Sequence, residues 1–364
     1  MKVNGKPMRS IWVENDQHTV SIIDQTYLPH QVVTISLDTL DDAMVAIKDM
    51  KVRGAPCIGA TAAYGMAIAV RADASDVNIK HAYDTLNASR PTAVNLKWAL
   101  DECMKTMKGL TESERASAVF ARAAEICDQD VEICSSIGDF GKGLLDDISK
   151  RKNGATVNVL THCNAGWIAT VDWGTAIAPI YKAFNAGMDI HVWVDETRPR
   201  SQGARLTAWE LEQHGVPYTV ITDNSGGHLM QHGLVDICLV GTDRTTATGD
   251  VCNKIGTYLK ALAAFDNDVP FYVAAPSTSI DWEMEDGVKE IPIEVRSGEA
   301  EVGWITGRDK DGILHRVTTM PDPKKTRNDA FDVTPRKYIT GLITERGLVA
   351  PNRAALRALF PDKG

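Results

Sequence analysis

The chain reads as an α/β protein in two parts, a small sheet with helices followed by a parallel sheet covered by helices. Three observations predict this. Residues 9–38 hold short, partly alternating apolar runs, whereas 40–149 carry long helical patterns. From about Ala155 the rhythm changes to apolar runs separated by helical stretches, the alternation that builds parallel sheets. Each of those runs then ends in polar residues, as strand ends bordering a pocket do in open α/β sheets. The boundary is set at residue 150, giving an N-terminal domain over 1–150 and a C-terminal domain over 151–364.

In order, Ile11–Val13, Thr19–Ile23 and Val32–Ile35 read as strands, and Leu40–Met50 as a helix. After Arg53-Gly54-Ala55-Pro56 an alanine-rich helix runs to Val70, with Gly59, Ala60, Ala62, Ala63 and Gly65 allowing close backbone approach. Segments 77–88, 91–109 and 112–149 are helical in pattern. Strands are expected at Thr156–Leu160, Asp189–Val194, Tyr218–Ile221, Val235–Val240 and Pro270–Ala274, with helices over 168–186, 204–214 and 253–265. The tail carries Ile291–Glu294 and Asn328–Pro335, read as an ordered loop before a last helix, Lys337–Thr344.

The stretch Val235–Lys254 organises the rest: an apolar strand, a polar break at Gly241-Thr242-Asp243-Arg244, then Asn253-Lys254 at an expected helix start, where free amides favour anions. The other strand ends carry Thr161–Gly166, Asp195–Arg205, Thr222–Gly227 and Ala275–Ser279. Parallel strands put these five loops at one end of the sheet, where they are expected to share one pocket.

Composition narrows the function. A net charge of -9 argues against general nucleic-acid binding, and the only basic cluster, Lys324–Arg327, reads as a solvated loop. No run is long and apolar enough to span a membrane and no signal-peptide pattern opens the chain, so a cytoplasmic protein is expected. Seven scattered cysteines without CxxC fit reduced thiols better than disulfides or zinc. No GxGxxG follows the first strand of the parallel sheet, which disfavours a nicotinamide-dependent dehydrogenase. His228 and His232 sit at i, i+4 without the glutamate of HExxH, so they read as a helix surface and no metal is expected.

Ten motifs in order, among them RGAPCIGATAAYGMA, SRPTAVNLKWAL, THCNAG, VDETRPRSQGARLTAWEL, GTDR, NKIGTY and FDVTP, resemble the 5-methylthioribose-1-phosphate isomerases over about residues 9–350. These enzymes are relatives of the α, β and δ subunits of the eukaryotic translation-initiation exchange factor. The resemblance implies a Rossmann-like C-terminal domain, a smaller N-terminal domain, a homodimer, no cofactor, and conversion of an aldose 1-phosphate into a ketose 1-phosphate within methionine salvage. Phosphate on the anomeric oxygen prevents simple ring opening, so the ring must open with the phosphate in place while hydrogen moves from C2 to C1. A cis-enediol route needs a base at C2 and an acid near the ring oxygen; a hydride shift needs a dry apolar pocket.

By that resemblance Cys163 and Asp243 are catalytic. Asp243 would transfer a proton at oxygen, as a carboxyl in a dry site can, and Cys163 would act as base at C2 or stabilise the transition state. The bland alternatives are a strand-end aspartate capping loop amides and a buried inert thiol. Arg53, Gly54 and Ala55 match a substrate-binding segment, Arg53 offering a planar fork to phosphate and Gly54 admitting close backbone approach. Arg90 matches a second phosphate contact, Gln202 a sugar hydroxyl contact, and Asn253 and Lys254 add to anion binding. Departures at Trp167, Arg200 and Ser225–His228 suggest an altered specificity wall, with 5-deoxyribose 1-phosphate or ribose 1,5-bisphosphate as alternative substrates. A regulatory, non-catalytic subunit is the alternative of another class; retention of both Cys163 and Asp243 argues against it.

Overall fold

Pairing between neighbours in the chain accounts for the N-terminal strands. The computed structural model describes residues 1–90 and 94–363. A two-residue hairpin, β1 (Lys2–Val3) and β2 (Lys6–Pro7), precedes an antiparallel sheet of β3 (Ile11–Val13), β4 (Val20–Ile23) and β5 (Thr34–Leu37). Helices α1 (Leu40–Lys48), α2 (Ala55–Ala72), α3 (Asp76–Ser89), α4 (Val94–Met107) and α5 (Glu112–Arg151) follow. Residues 91–93, expected to open α4, lie outside the described residues. The small residues of α2 do what their size allows: 15 of its 18 residues are buried, and Gly59 lies against the Asn95 backbone of α4, where a Cβ would meet a carbonyl oxygen at 2.9 Å. The first half of α5 closes this helical core through Val119, Ala123, Ile126 and Cys127.

The second part contains β6 (Val157–Thr161), α6 (Ala178–Asn185), β7 (Ile190–Asp195), α7 (Ala208–His214), β8 (Tyr218–Ile221), α8 (Ser225–Gln231), β9 (Ile237–Val240), β10 (Arg244–Thr246), β11 (Val251–Lys254), α9 (Thr257–Asp266) and β12 (Phe271–Ala274). Next come β13 (Ile280–Asp281), α10 (Gly287–Glu290), α11 (Gly298–Glu301), β14 (Ile305–Arg308), β15 (Leu314–Val317), β16 (Phe331–Thr334), β17 (Gly341–Thr344), β18 (Gly347–Val349) and α12 (Arg353–Leu359). The main sheet runs β18-β17-β12-β9-β6-β7-β8, parallel throughout except for the edge hairpin β17–β18. Alternate residues serve opposite faces. Val157 and Val159 of β6 join Val192 and Val194 of β7 in the core under α5, α6 and α7, while Leu160 turns to the face under α8 and α9.

Three helix expectations are corrected. Residues 168–186 hold a short turn, Trp167–Ala169, and a loop before α6, because Gly174 at φ +81° folds back to bridge Gly166. The helix expected over 253–265 starts only at Thr257. Asn253 and Lys254 belong to β11, which pairs with β16 some eighty residues on, and Gly256 at φ +102° separates strand from helix. Lys337–Thr344 is a turn followed by β17, paired with β12.

Candidate active site

The carboxyl ends of β6, β7, β9 and β12 face one cleft of about 680 Å³, closed opposite by the start of α2 and the end of α3. Arg53, Gly54, Ala55, Arg90, Cys163, Gln202, Asp243, Asn253 and Lys254 all line it. Of the five strand-end loops, that after β8 acts from outside: the Asp223 carboxylate accepts the backbone N–H groups of Thr197 and Arg198, both at 2.7 Å, and so shapes the β7 loop.

Cys163, two residues past the end of β6, lies in the left-handed region at φ +66°. A non-glycine residue there costs ~1–3 kcal/mol and persists only when its surroundings hold it. Two threonines do so: the Thr197 hydroxyl oxygen accepts the Cys163 N–H at 2.8 Å, and the Thr207 hydroxyl donates to the Cys163 carbonyl at 2.7 Å. The neighbouring His162 is buried, with Nδ1 2.8 Å from Asp195 and Nε2 2.8 Å from the Ile255 carbonyl. A carbonyl only accepts, so Nε2 carries a hydrogen. His162, Asp195 and Asp223 are the one group with metal-ligand proximity among the described residues, but the Lys260 ammonium lies 3.0 Å from Asp195 and supplies the positive charge.

The same cleft carries a cationic wall. Arg53 donates through Nη1 to Asn164 Oδ1 at 2.5 Å and through Nη2 to the Asn164 carbonyl at 2.9 Å. Gly54, at φ +92°, lies against the Ala169 backbone, where no Cβ fits. Arg90 is 3.6 Å from Glu294; burial, then repulsion from Arg296, lowers its pKa. Glu294 also receives Arg296 at 2.8 Å. Lys254 is buried, donates to the Ala330 carbonyl at 2.7 Å and lies 4.2 Å over the Phe331 ring. Burial foremost, then Arg296, pushes its pKa down to about 8. Lys254 therefore brings its charge to the cleft from a strand, not from the helix start expected for it.

Asp243 follows β9, its N–H bonded to the Cys252 carbonyl at 2.9 Å. The Gln202 side chain is buried, and its Oε1 has no hydrogen-bond partner among the described residues, an acceptor facing the cleft. Asn253 donates to the Thr257 hydroxyl at 3.1 Å. Beyond Asp243 and Arg90 an annex of about 470 Å³ is walled mostly by apolar residues, Ala55, Ile58, Cys252, Ile291, Pro292 and Phe331, together with Arg244.

Arg296, Phe331, Met50 and Ser279 line the cleft without having been singled out as site residues. Arg296 stands two residues after the Ile291–Glu294 segment, which the sequence reading left without a role. The departures expected to alter specificity lie elsewhere. Trp167 is fully buried against Trp209, Arg200 pairs with Glu301 at 2.9 Å, and Ser225–His228 opens α8, where Gly226 packs on Lys260. None of them reaches the cleft. His228 and His232 form the exposed helix surface expected of them.

Strand-end loops that present a cysteine, a carboxylate and a cationic wall define an α/β protein built to act on a phosphate ester. The chain belongs to the initiation factor 2 subunit family, whose model matches residues 51–351. It is 61% identical to the methylthioribose-1-phosphate isomerase of Paramagnetospirillum magneticum, over all of both chains. Among solved structures, the 5-methylthioribose 1-phosphate isomerase of Pyrococcus horikoshii is similar with a TM-score of 0.82 and 38% identity, over 98% of this chain and 97% of that one. The translation initiation factor eIF-2B subunit delta from A. fulgidus is similar with a TM-score of 0.80 and 36% identity, over 98% and 100%.

Proposed function

We propose that this chain is an aldose–ketose isomerase that converts 5-methylthioribose 1-phosphate into 5-methylthioribulose 1-phosphate in methionine salvage. The observation that carries the reading is the junction of two unlike cavities at Asp243: a cleft walled by four cations and an apolar annex. A phosphate dianion suits the first, because arginine forks and an ammonium desolvated beside it are strong donors. A methylthio group suits the second, since apolar burial contributes roughly 0.8 kcal/mol per carbon-sized group.

With the phosphate on the Arg53, Arg90, Lys254 and Arg296 side, the sugar ring lies between Cys163 and Asp243. Asp243 exchanges the proton at oxygen as the ring opens, and Cys163 serves C2. The unpartnered Gln202 acceptor takes a sugar hydroxyl. Hydrogen moves within one molecule, so no external redox partner enters the balance.

The alternative sugars differ in what they would place in the annex. Ribose 1,5-bisphosphate would put a second anion in an annex walled mostly by apolar groups, where Arg244 is already paired with Asp281 at 3.7 Å, and Arg200 is engaged with Glu301 outside the cleft. The regulatory-subunit reading leaves unexplained why Cys163 is held in a costly backbone conformation at the cleft. No helix is long and apolar enough to cross a membrane among the described residues. We further propose a cytoplasmic homodimer; seven unpaired thiols suit a reducing compartment. The deciding experiment compares 5-methylthioribose, 5-deoxyribose and ribose 1-phosphates and ribose 1,5-bisphosphate, following ketose 1-phosphate formation. Preference for the methylthio sugar is the expected result, preference for a bisphosphate refutes the annex assignment, and no turnover on any sugar returns the regulatory reading.

A further inference from the structure

Behind the cationic wall lies a carboxyl group that the reaction does not use. Glu210, on α7, is fully buried. It accepts three donors from two segments: the Asn164 side-chain Nδ2 and the Trp167 backbone N–H at 2.7 Å from the loop after β6, and the Tyr181 hydroxyl at 3.0 Å from α6. Gly166 passes so close to this carboxylate that a Cβ there would collide with it.

The donor on Asn164 is the informative one. Its Nδ2 faces Glu210 and the Thr207 hydroxyl, 3.2 Å away. With Nδ2 committed to that side, the amide must present Oδ1 to the other, where Arg53 Nη1 donates to it. The opposite orientation would set an NH₂ group against a guanidinium, donor against donor. Two of the five guanidinium N–H groups are then fixed on Asn164, one through the side chain and one through the backbone carbonyl, and the remaining three have no partner among the described residues.

We propose that Glu210 is a positioning residue for the phosphate: by fixing the Asn164 amide, it sets the plane of the Arg53 guanidinium before substrate arrives. The inference rests on the reading of Arg53 as a phosphate ligand. A buried carboxyl is costly unless its oxygens are satisfied, and here burial pushes the Glu210 pKa up to about 7 against the opposing pull of Asn164, Tyr181, Trp167 and Arg53. A residue needed only to fill this volume would be better apolar; what the carboxylate adds is a strong acceptor at the amide.

Steady-state kinetics of Glu210→Gln, Arg53→Lys and the double variant test this. A positioning role predicts that Glu210→Gln raises KM for the sugar phosphate about tenfold and leaves kcat within about twofold, the pattern of lost uniform binding. In the Arg53→Lys background the same change should raise KM no further, since the two act as one unit. A purely structural role would make the two effects multiply, and that result, or an unchanged KM, overturns the proposal. If the glutamine variant does not fold, Glu210→Asp carries the same readouts: it keeps a buried acceptor but retreats by one methylene from Asn164. Thermal-shift titration with inorganic phosphate separates this inference from the assignment of function. If wild-type protein turns over no sugar phosphate, phosphate binding lost in both Arg53→Lys and Glu210→Gln still supports the positioning role, and binding retained in Glu210→Gln overturns it. Binding retained in Arg53→Lys removes Arg53 as the phosphate ligand, and the proposal with it.

Discussion

Replacing Lys254 with methionine should erase an alkaline limb in the pH profile. The ammonium is almost wholly out of water, and burial, aided by Arg296, brings its pKa from the usual lysine range to about 8. At ~1.36 kcal/mol for each tenfold change, that displacement corresponds to about 3 kcal/mol. Its sign differs for stability and for binding. Because the folded value lies below the unfolded one, the fold carries this cost in full below about pH 8 and is relieved of it as the pH rises toward 10.5. A phosphate dianion needs the charged form, so kcat/KM should fall above about pH 8, where the free protein loses this proton. Near neutrality Lys254→Met removes a hydrogen bond between charged groups, of the order of 1.5–3 kcal/mol, and should lower kcat/KM about 10- to 100-fold. Initial rates from about pH 6 to about pH 10 for both proteins, with thermal unfolding at each pH, measure this. A limb that survives in Lys254→Met, or a wild-type profile flat through that range, would refute the assignment of the charge to Lys254.

Other outcomes follow from the same geometry. Asp243→Asn should keep substrate affinity within about threefold and lower kcat about 10²- to 10⁴-fold, as loss of a proton-transfer group does; turnover close to wild type removes its assigned role. Ile291→Ser should weaken binding of the methylthio sugar by about 1–2 kcal/mol while leaving ribose 1-phosphate nearly unaffected, so equal KM changes for both sugars would move the tail out of the annex. Gly54→Ala should cost about 2–3 kcal/mol of stability, from the positive φ and the contact with Ala169; an unchanged denaturation midpoint would contradict the close approach.

Local order was legible wherever one segment carried its own pattern. The five main strands and α1 to α5 follow from apolar runs, alternation and helical period, and every site residue that the ordered motifs picked out lines the cleft. What escaped depends on partners distant in sequence. Nothing near Asn253 and Lys254 announces that Phe331–Thr334 will pair with them, and Gly341–Thr344 becomes a strand because β12 offers a parallel edge. Arg296 enters the cleft from an irregular loop with no period to read. Trp167 misled in the opposite direction: an unusual residue just after the THCNAG motif pointed to specificity, yet its indole turns away into the packing around Trp209.

The long helix α5 has a mechanical consequence. Its 40 residues span about 60 Å at ~1.5 Å per residue. Its first half is embedded in the helices that carry Arg53 and Arg90, and its second half, through Ile137, Leu145 and Ile148, in the core beneath the sheet that carries Cys163. At the crossing with α6, Gly138 and Gly141 bring the axes together against Ala178 and Pro179. Swinging the two sides of the cleft apart would mean bending this beam and breaking hydrogen bonds along it. On the proposed roles, α5 ties the arginines of the N-terminal side to the cysteine at the sheet, so the gap a sugar must fit there is set in part by one continuous helix.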